Sequence, residues 1–178
     1  MAKHTAYLHI GPVGIAVDSG VRDPLVAVSV VVPEVSDDDL ERADLEIRRA
    51  HRAAGRRRKD VEGAWAKVCR RAFRTRSNIF LSLPGFAEAD AGQAALALDG
   101  LHGLRVHLVV TAGAGELPTA WTRLVKPERV HALGAAVTPA DVGEQVARIA
   151  LADEHARLTK TLVRLRRRRT RVDERVAA

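Results

Sequence analysis

Aromatic residues make up only 3% of this 178-residue chain. Two tryptophans, one tyrosine and three phenylalanines cannot supply a row of base-stacking platforms, which argues against sequence-specific recognition of single-stranded RNA. The interior must be built from alanine, valine and leucine instead. Cys69 is the only cysteine, so an internal disulfide is excluded and a reducing, cytoplasmic compartment is expected. No apolar run approaches the ~18 residues of a membrane span, and the N-terminus lacks the charged-then-apolar pattern of a secretion signal; neither spanning nor secretion is expected. The histidines lack metal-ligand spacing. Glu154 and His155, for example, are adjacent rather than one helical turn apart, and no metal is expected. Between Gly11 and Gly20 there is no Lys, Arg or Thr, the only hydroxyl is Ser19, and Asp18 beside it repels phosphate.

That last gap matters because of what precedes it. Thr5 to Ile10 reads as a first parallel strand running into Gly11-Pro12-Val13-Gly14, where nucleotide-binding α/β proteins place a phosphate-cradling turn. Further strands are expected over Val28–Val32, Asn78–Leu83 and Arg105–Thr111, rich in β-branched residues. Helices are expected between them. Ser36 is an N-cap for a helix whose apolar positions continue to Ala54 and which Gly55 ends; a second starts at Asp60 and carries Trp65 and Phe73 on its apolar face. Ala87–Leu98 and Leu117–Val125 are helical by composition and spacing. Strands alternating with helices imply an α/β fold, a parallel sheet covered by helices on both faces. Thr138-Pro139 opens a long final helix to about Val176, with Leu151, His155, Leu158, Leu162, Leu165, Arg169, Val172 and Val176 on a heptad seam. The organisation is an α/β domain over 1–137 followed by a long basic helix, 138–178, with the pattern of a coiled coil.

Lys and Arg total 29 against 22 Asp and Glu, a formal charge of +7. Arginine dominates this excess. Clusters occur at Arg48–Lys59, at Lys67–Arg76, and at Arg164, Arg166, Arg167, Arg168, Arg169 and Arg171 on the final helix. The last group is the candidate for anion or nucleic-acid binding through phosphate contacts; the alternative is a solvated polar helix face.

Tyr7-Leu8-His9-Ile10-Gly11 resembles the opening strand of bacterial sulfotransferase-like proteins of actinobacterial type. Val21-Arg22-Asp23-Pro24-Leu25 through Val30-Val31-Val32-Pro33, Gly63-Ala64-Trp65 with Ile79-Phe80-Leu81-Ser82, and Val106 to Ala112 followed by Leu117 to Trp121 and Val125-Lys126 resemble later blocks of that family in order and spacing, over roughly residues 5–126. The resemblance implies a three-layer fold related to the phosphate-loop proteins and, in active members, use of 3′-phosphoadenosine 5′-phosphosulfate. The departures fall on the chemistry. The loop lysine and threonines have no counterpart after Gly11, Leu83-Pro84 replaces His-Glu, and Gly113-Ala114 replaces the Arg-Asp that reaches the 3′-phosphate. Losing such charge stabilisation removes the largest usual catalytic term.

The expected function is therefore a catalytically degenerate sulfotransferase-like protein, a pseudoenzyme acting as a binding or scaffolding module. It needs no cofactor and engages a second copy or a protein partner through the C-terminal helix. Two alternatives stand beside it. One is an active sulfotransferase or nucleotide binder with substitute residues: His9 and Ser82 as catalytic candidates, Gly11, Gly14, Ser19, Arg22 and Thr111 around the cofactor, with Lys126. The other is a basic nucleic-acid-binding module. His9 and His107 are read as structural, and Cys69 as an inert core thiol.

Overall fold

The computed structural model describes residues 4–11, 17–112, 117–134 and 136–176, with 171–176 as backbone only. Its centre is a five-stranded, wholly parallel sheet. The strands are β1 (Thr5–Ile10), β2 (Val30–Val31), β3 (Asn78–Ser82), β4 (Arg105–Thr111) and β5 (Val130–Leu133), in the order β2-β3-β1-β4-β5. The first strand in sequence is thus the middle one in space. All six of its residues are buried, as expected for a parallel strand covered on both faces.

The helices are α1 (Ser19–Ala27), α2 (Asp37–Ile47), α3 (Arg58–Val61), α4 (Ala64–Arg74), α5 (Ala91–Gly100), α6 (Thr119–Thr122) and α7 (Pro139–Val176). The pleat sends alternate side chains of β1 into two cores. Ala6, Leu8 and Ile10 join Ala43 and Ile47 of α2, Trp65 and Val68 of α4, Ala94 and Ala97 of α5, and Trp121 of α6. Tyr7 points the other way, to Val21 and Leu25 of α1 and Val142, Val146 and Ile149 of α7. Three of the six aromatics pack together in the first core, while Tyr7 and Phe80 lie in the second. Phe86 stacks on Trp121 at 5.7 Å and meets Trp65 edge-on at 5.4 Å, and Trp121 Nε1 donates to the Phe86 carbonyl at 2.6 Å.

Several elements are shorter than their patterns. The strand expected over Val28–Val32 shrinks to Val30–Val31, because α1 continues through Pro24 to Ala27. The helix capped by Ser36 stops at Ile47 rather than Ala54. Its end is a Schellman turn: Ala50 N–H donates to the Leu45 carbonyl at 3.0 Å and Arg49 N–H to Glu46 at 3.2 Å, with Arg49 left-handed at φ 57°. Gly63, also left-handed at φ 81°, divides the helix expected from Asp60 into α3 and α4. Phe73, expected on the apolar face of that helix, is 42% exposed. The stretch from Ala87 is a 3₁₀ turn, Pro84–Glu88, before the Asp90–Gln93 capping box starts α5. The helix expected over Leu117–Val125 is only the single turn α6. The edge strand β5 was not anticipated by the pattern at all.

The final helix begins as expected. Thr138 and Asp141 exchange side-chain-to-backbone bonds, Thr138 N–H to Asp141 Oδ2 at 2.7 Å and Asp141 N–H to Thr138 Oγ1 at 3.3 Å. Gly143 allows the helix to sit against α1, since a Cβ there would lie 2.9 Å from the Val21 carbonyl oxygen. The packing ends with Ile149 and Ala150. Beyond them every residue described up to Thr170 is exposed except the half-buried Asp153. The first turns of α7 belong to the α/β unit, and the distal part stands clear of it. No described helix is long and apolar enough to cross a membrane.

Candidate functional site

In open parallel sheets, ligands bind beyond the carboxyl ends of the strands, near the point where connections diverge to opposite sides. Here that point lies at β1, from which the chain passes to β2 on one side while β4 and β5 lie on the other. The carboxyl ends of β3, β1 and β4 bring Ser82, His9 and Thr111 together. His9 Nδ1 is 2.9 Å from Ser82 Oγ, and His9 Nε2 is 3.2 Å from Thr111 Oγ1. His9 has no exposed surface, and its burial pushes the imidazole pKa down to about 4. Gly11 closes the cluster from above. Its N–H donates to the Pro84 carbonyl at 3.2 Å, and a Cβ there would fall 1.9 Å from Thr111 Oγ1.

This geometry holds a serine and a histidine at nucleophile–base distance. A working base needs a partner that stabilises its cation as the proton arrives. The second ring nitrogen of His9 faces a threonine hydroxyl rather than a carboxylate, and desolvation opposes charging. Both nitrogens are occupied within the protein. The cluster ties three neighbouring strands at their exit.

The other candidates are not drawn into it. Gly14 and Gly113 lie outside the described residues. Ser19 is exposed in the first turn of α1, and the exposed Arg22 turns back to donate from Nε to the Val17 carbonyl at 3.1 Å. Lys126 is exposed beyond α6. Asp18 is the N-cap of α1, its carboxylate accepting from Val21 N–H at 3.4 Å. The helix end that would face a phosphate is therefore already met by a carboxylate of its own chain, which both occupies a donor and repels anions.

A second polar line crosses the same face of the sheet nearer its amino end. His107 Nδ1 is 3.1 Å from His131 Nε2 on the neighbouring strand, and His107 Nε2 is 3.2 Å from Asp153 Oδ2 of α7. Burial holds His107 down at about 4 against the opposing pull of Asp153. His107 was expected to be structural and to face a helix, and α7 is that helix. Its partners His131 and Asp153 were not legible in the sequence, because one sits on the unanticipated β5 and the other lies at a position unrelated to the heptad seam. Cys69 is buried, and desolvation pushes its thiol up to about 12. Among the described residues, no group of His, Cys, Asp and Glu forms a metal-ligand set.

The basic candidates Arg164, Arg166, Arg167, Arg168 and Arg169 are all exposed on distal α7, while Arg171 belongs to the part described as backbone. On the same stretch Leu151, Leu158, Leu162 and Leu165 are 50–60% exposed. No protein family and no curated protein matches the chain.

Proposed function

We propose that this protein is a non-catalytic α/β domain of sulfotransferase-like, phosphate-loop-related type that acts as a scaffolding module in the cytoplasm, pairing with a second copy of itself through distal α7. The observation that carries the reading is the solvent-exposed leucine stripe of a helix whose proximal turns are anchored in the core. An isolated helix of that length, about 57 Å at 1.5 Å per residue, draws little stability from propensity alone. A second copy would cover the stripe. With Leu151, Leu158 and Leu165 at one seam position and His155, Leu162 and Arg169 at the other, the flanking residues of a parallel pair meet as Glu154 with Thr159 and Thr161 with Arg166, so no like charges oppose there. Arg169 in the seam weakens the pair and favours one register.

The self-bonded His9 cluster and the Asp18 cap support the absence of catalysis and of tight 3′-phosphoadenosine 5′-phosphosulfate binding. Light scattering and sedimentation test the pairing. The full chain should dimerise at micromolar concentration, and Leu158→Glu with Leu162→Glu should leave a folded monomer whose melting temperature no longer depends on protein concentration. A wild-type monomer at high concentration sinks the pairing. Calorimetric titration with adenosine 3′,5′-bisphosphate tests the other half: micromolar binding would return the protein to the nucleotide-binding class. Duplex binding with a steep salt dependence, lost when Arg166, Arg167 and Arg168 become Gln, would favour the nucleic-acid reading instead.

A further inference from the structure

The strongest concentration of positive charge in a concave setting is not on α7. It lies in the loop that follows α2, and the backbone explains why. The Schellman turn at Arg49 is followed at once by another: Arg56 N–H donates to the His51 carbonyl at 2.8 Å and Gly55 N–H to Arg52 at 3.0 Å, with Gly55 left-handed at φ 67°. Two reversals in succession fold the loop onto the start of α3. As a result Arg49, His51, Arg52, Arg56, Arg57 and Arg58 line one cavity of 610 Å³. No carboxylate lines it. The neighbouring cavity of 460 Å³ shares Arg49, His51 and Arg58 and is bounded by Glu46 and Glu62.

The arginines fall into two groups. Arg56 is held by Glu41 at 3.1 Å and Asp38 at 3.5 Å, Arg57 by Asp60 at 3.1 Å and Arg58 by Glu62 at 3.8 Å, so these three are paired with carboxylates that do not line the cavity. Arg49 and Arg52 have no acidic partner among the described residues, yet Arg49 occupies a left-handed position where glycine would be easier. The loop is also fixed to the carboxyl edge of the sheet. Arg48 is paired with Asp44 and with Glu88 of the turn leaving β3, and Gln93 Nε2 of α5 donates to the Arg48 carbonyl at 3.1 Å.

We propose that this loop cavity is a binding site for a small polyphosphorylated anion, one carrying two or more linked phosphate groups. Several planar guanidinium groups lining one surface hollow can meet several phosphate oxygens at once, and the carboxylate-paired Arg56 loses less freedom on binding than an unpaired arginine. The exposed run of arginines on distal α7 lines no such hollow and would meet an anion only diffusely. The proposal does not depend on how α7 pairs.

The test is calorimetry on the full chain with orthophosphate, pyrophosphate and tripolyphosphate. Affinity should rise several-fold with each added phosphate. Arg49→Gly and Arg52→Gln should each weaken tripolyphosphate binding at least tenfold, while the double variant Arg166→Gln with Arg168→Gln leaves it unchanged. Arg49→Gly also removes the left-handed strain, so its melting temperature should hold or rise, which separates lost binding from unfolding. No binding of tripolyphosphate at millimolar concentration overturns the proposal. So does an equal loss from the α7 variant, which would show diffuse charge, or tighter binding of duplex DNA that depends on Arg49, which would make the loop a nucleic-acid contact.

Discussion

Replacing His9 with Asn should flatten part of the protein's acid response, and the size of the effect follows from its surroundings. Burial lowers the folded-state pKa of His9 from 6.5 to about 4. The unfolded chain therefore binds the proton first as pH falls. The stabilisation is complete above pH 6.5 and is lost on acidification towards pH 4. The full span of that shift is worth about 3 kcal/mol, of which about 2 kcal/mol is lost by pH 5. His107 and His131 are depressed as well, but they titrate in both proteins and cancel in the comparison. Asn can still reach Ser82 but cannot take up a proton, so at pH 7.5 the variant is less stable by about 1–3 kcal/mol, the usual loss for a buried polar contact. Urea unfolding of both proteins at pH 7.5 and pH 5 reads the difference. The wild type's advantage should shrink by about 2 kcal/mol, with no change in the denaturant slope. An advantage that stays constant would mean that His9 is hydrated or already charged in the fold, and so free to act as a base.

Trp121→Ala should destabilise by about 3–5 kcal/mol, because it removes a fully buried ring together with its bond to Phe86 and the stacking partner of that ring; a midpoint shift below 1 kcal/mol in chemical denaturation would contradict the packing. Gly11→Ala should be more severe than an ordinary loop substitution, since the added carbon meets Thr111 and the backbone sits at φ 152°; thermal melting should fall well below wild type, and Thr111→Ser, which keeps the hydroxyl, should not rescue it. Cys69 should not react with a disulfide reagent at pH 8 until the chain is unfolded, because its thiol is buried and pushed up to about 12; rapid native labelling would place it at the surface.

Local chemistry marks much of this molecule. The mostly apolar run of β1, the β-branched residues of β4, the Ser36 and Thr138 caps, and the heptad spacing of α7 all depend on residues a few positions apart, and the folded protein forms a strand or helix at each. Elements that depend on distant partners were not marked. Val130–Leu133 is a short edge strand with little burial, and it exists because β4 offers it a ladder. Helix α2 has helical spacing beyond Ile47 but stops there, because its end turns into a loop tied to Glu88 and Gln93. The same non-locality governs the sites. His9 meets Thr111 across 102 residues of chain, and β1 brings them together by lying beside β4. The arginines of the loop read in sequence as one more charged run. Their place around a single hollow comes with two left-handed residues, Arg49 and Gly55, whose backbone reversals no charge pattern encodes.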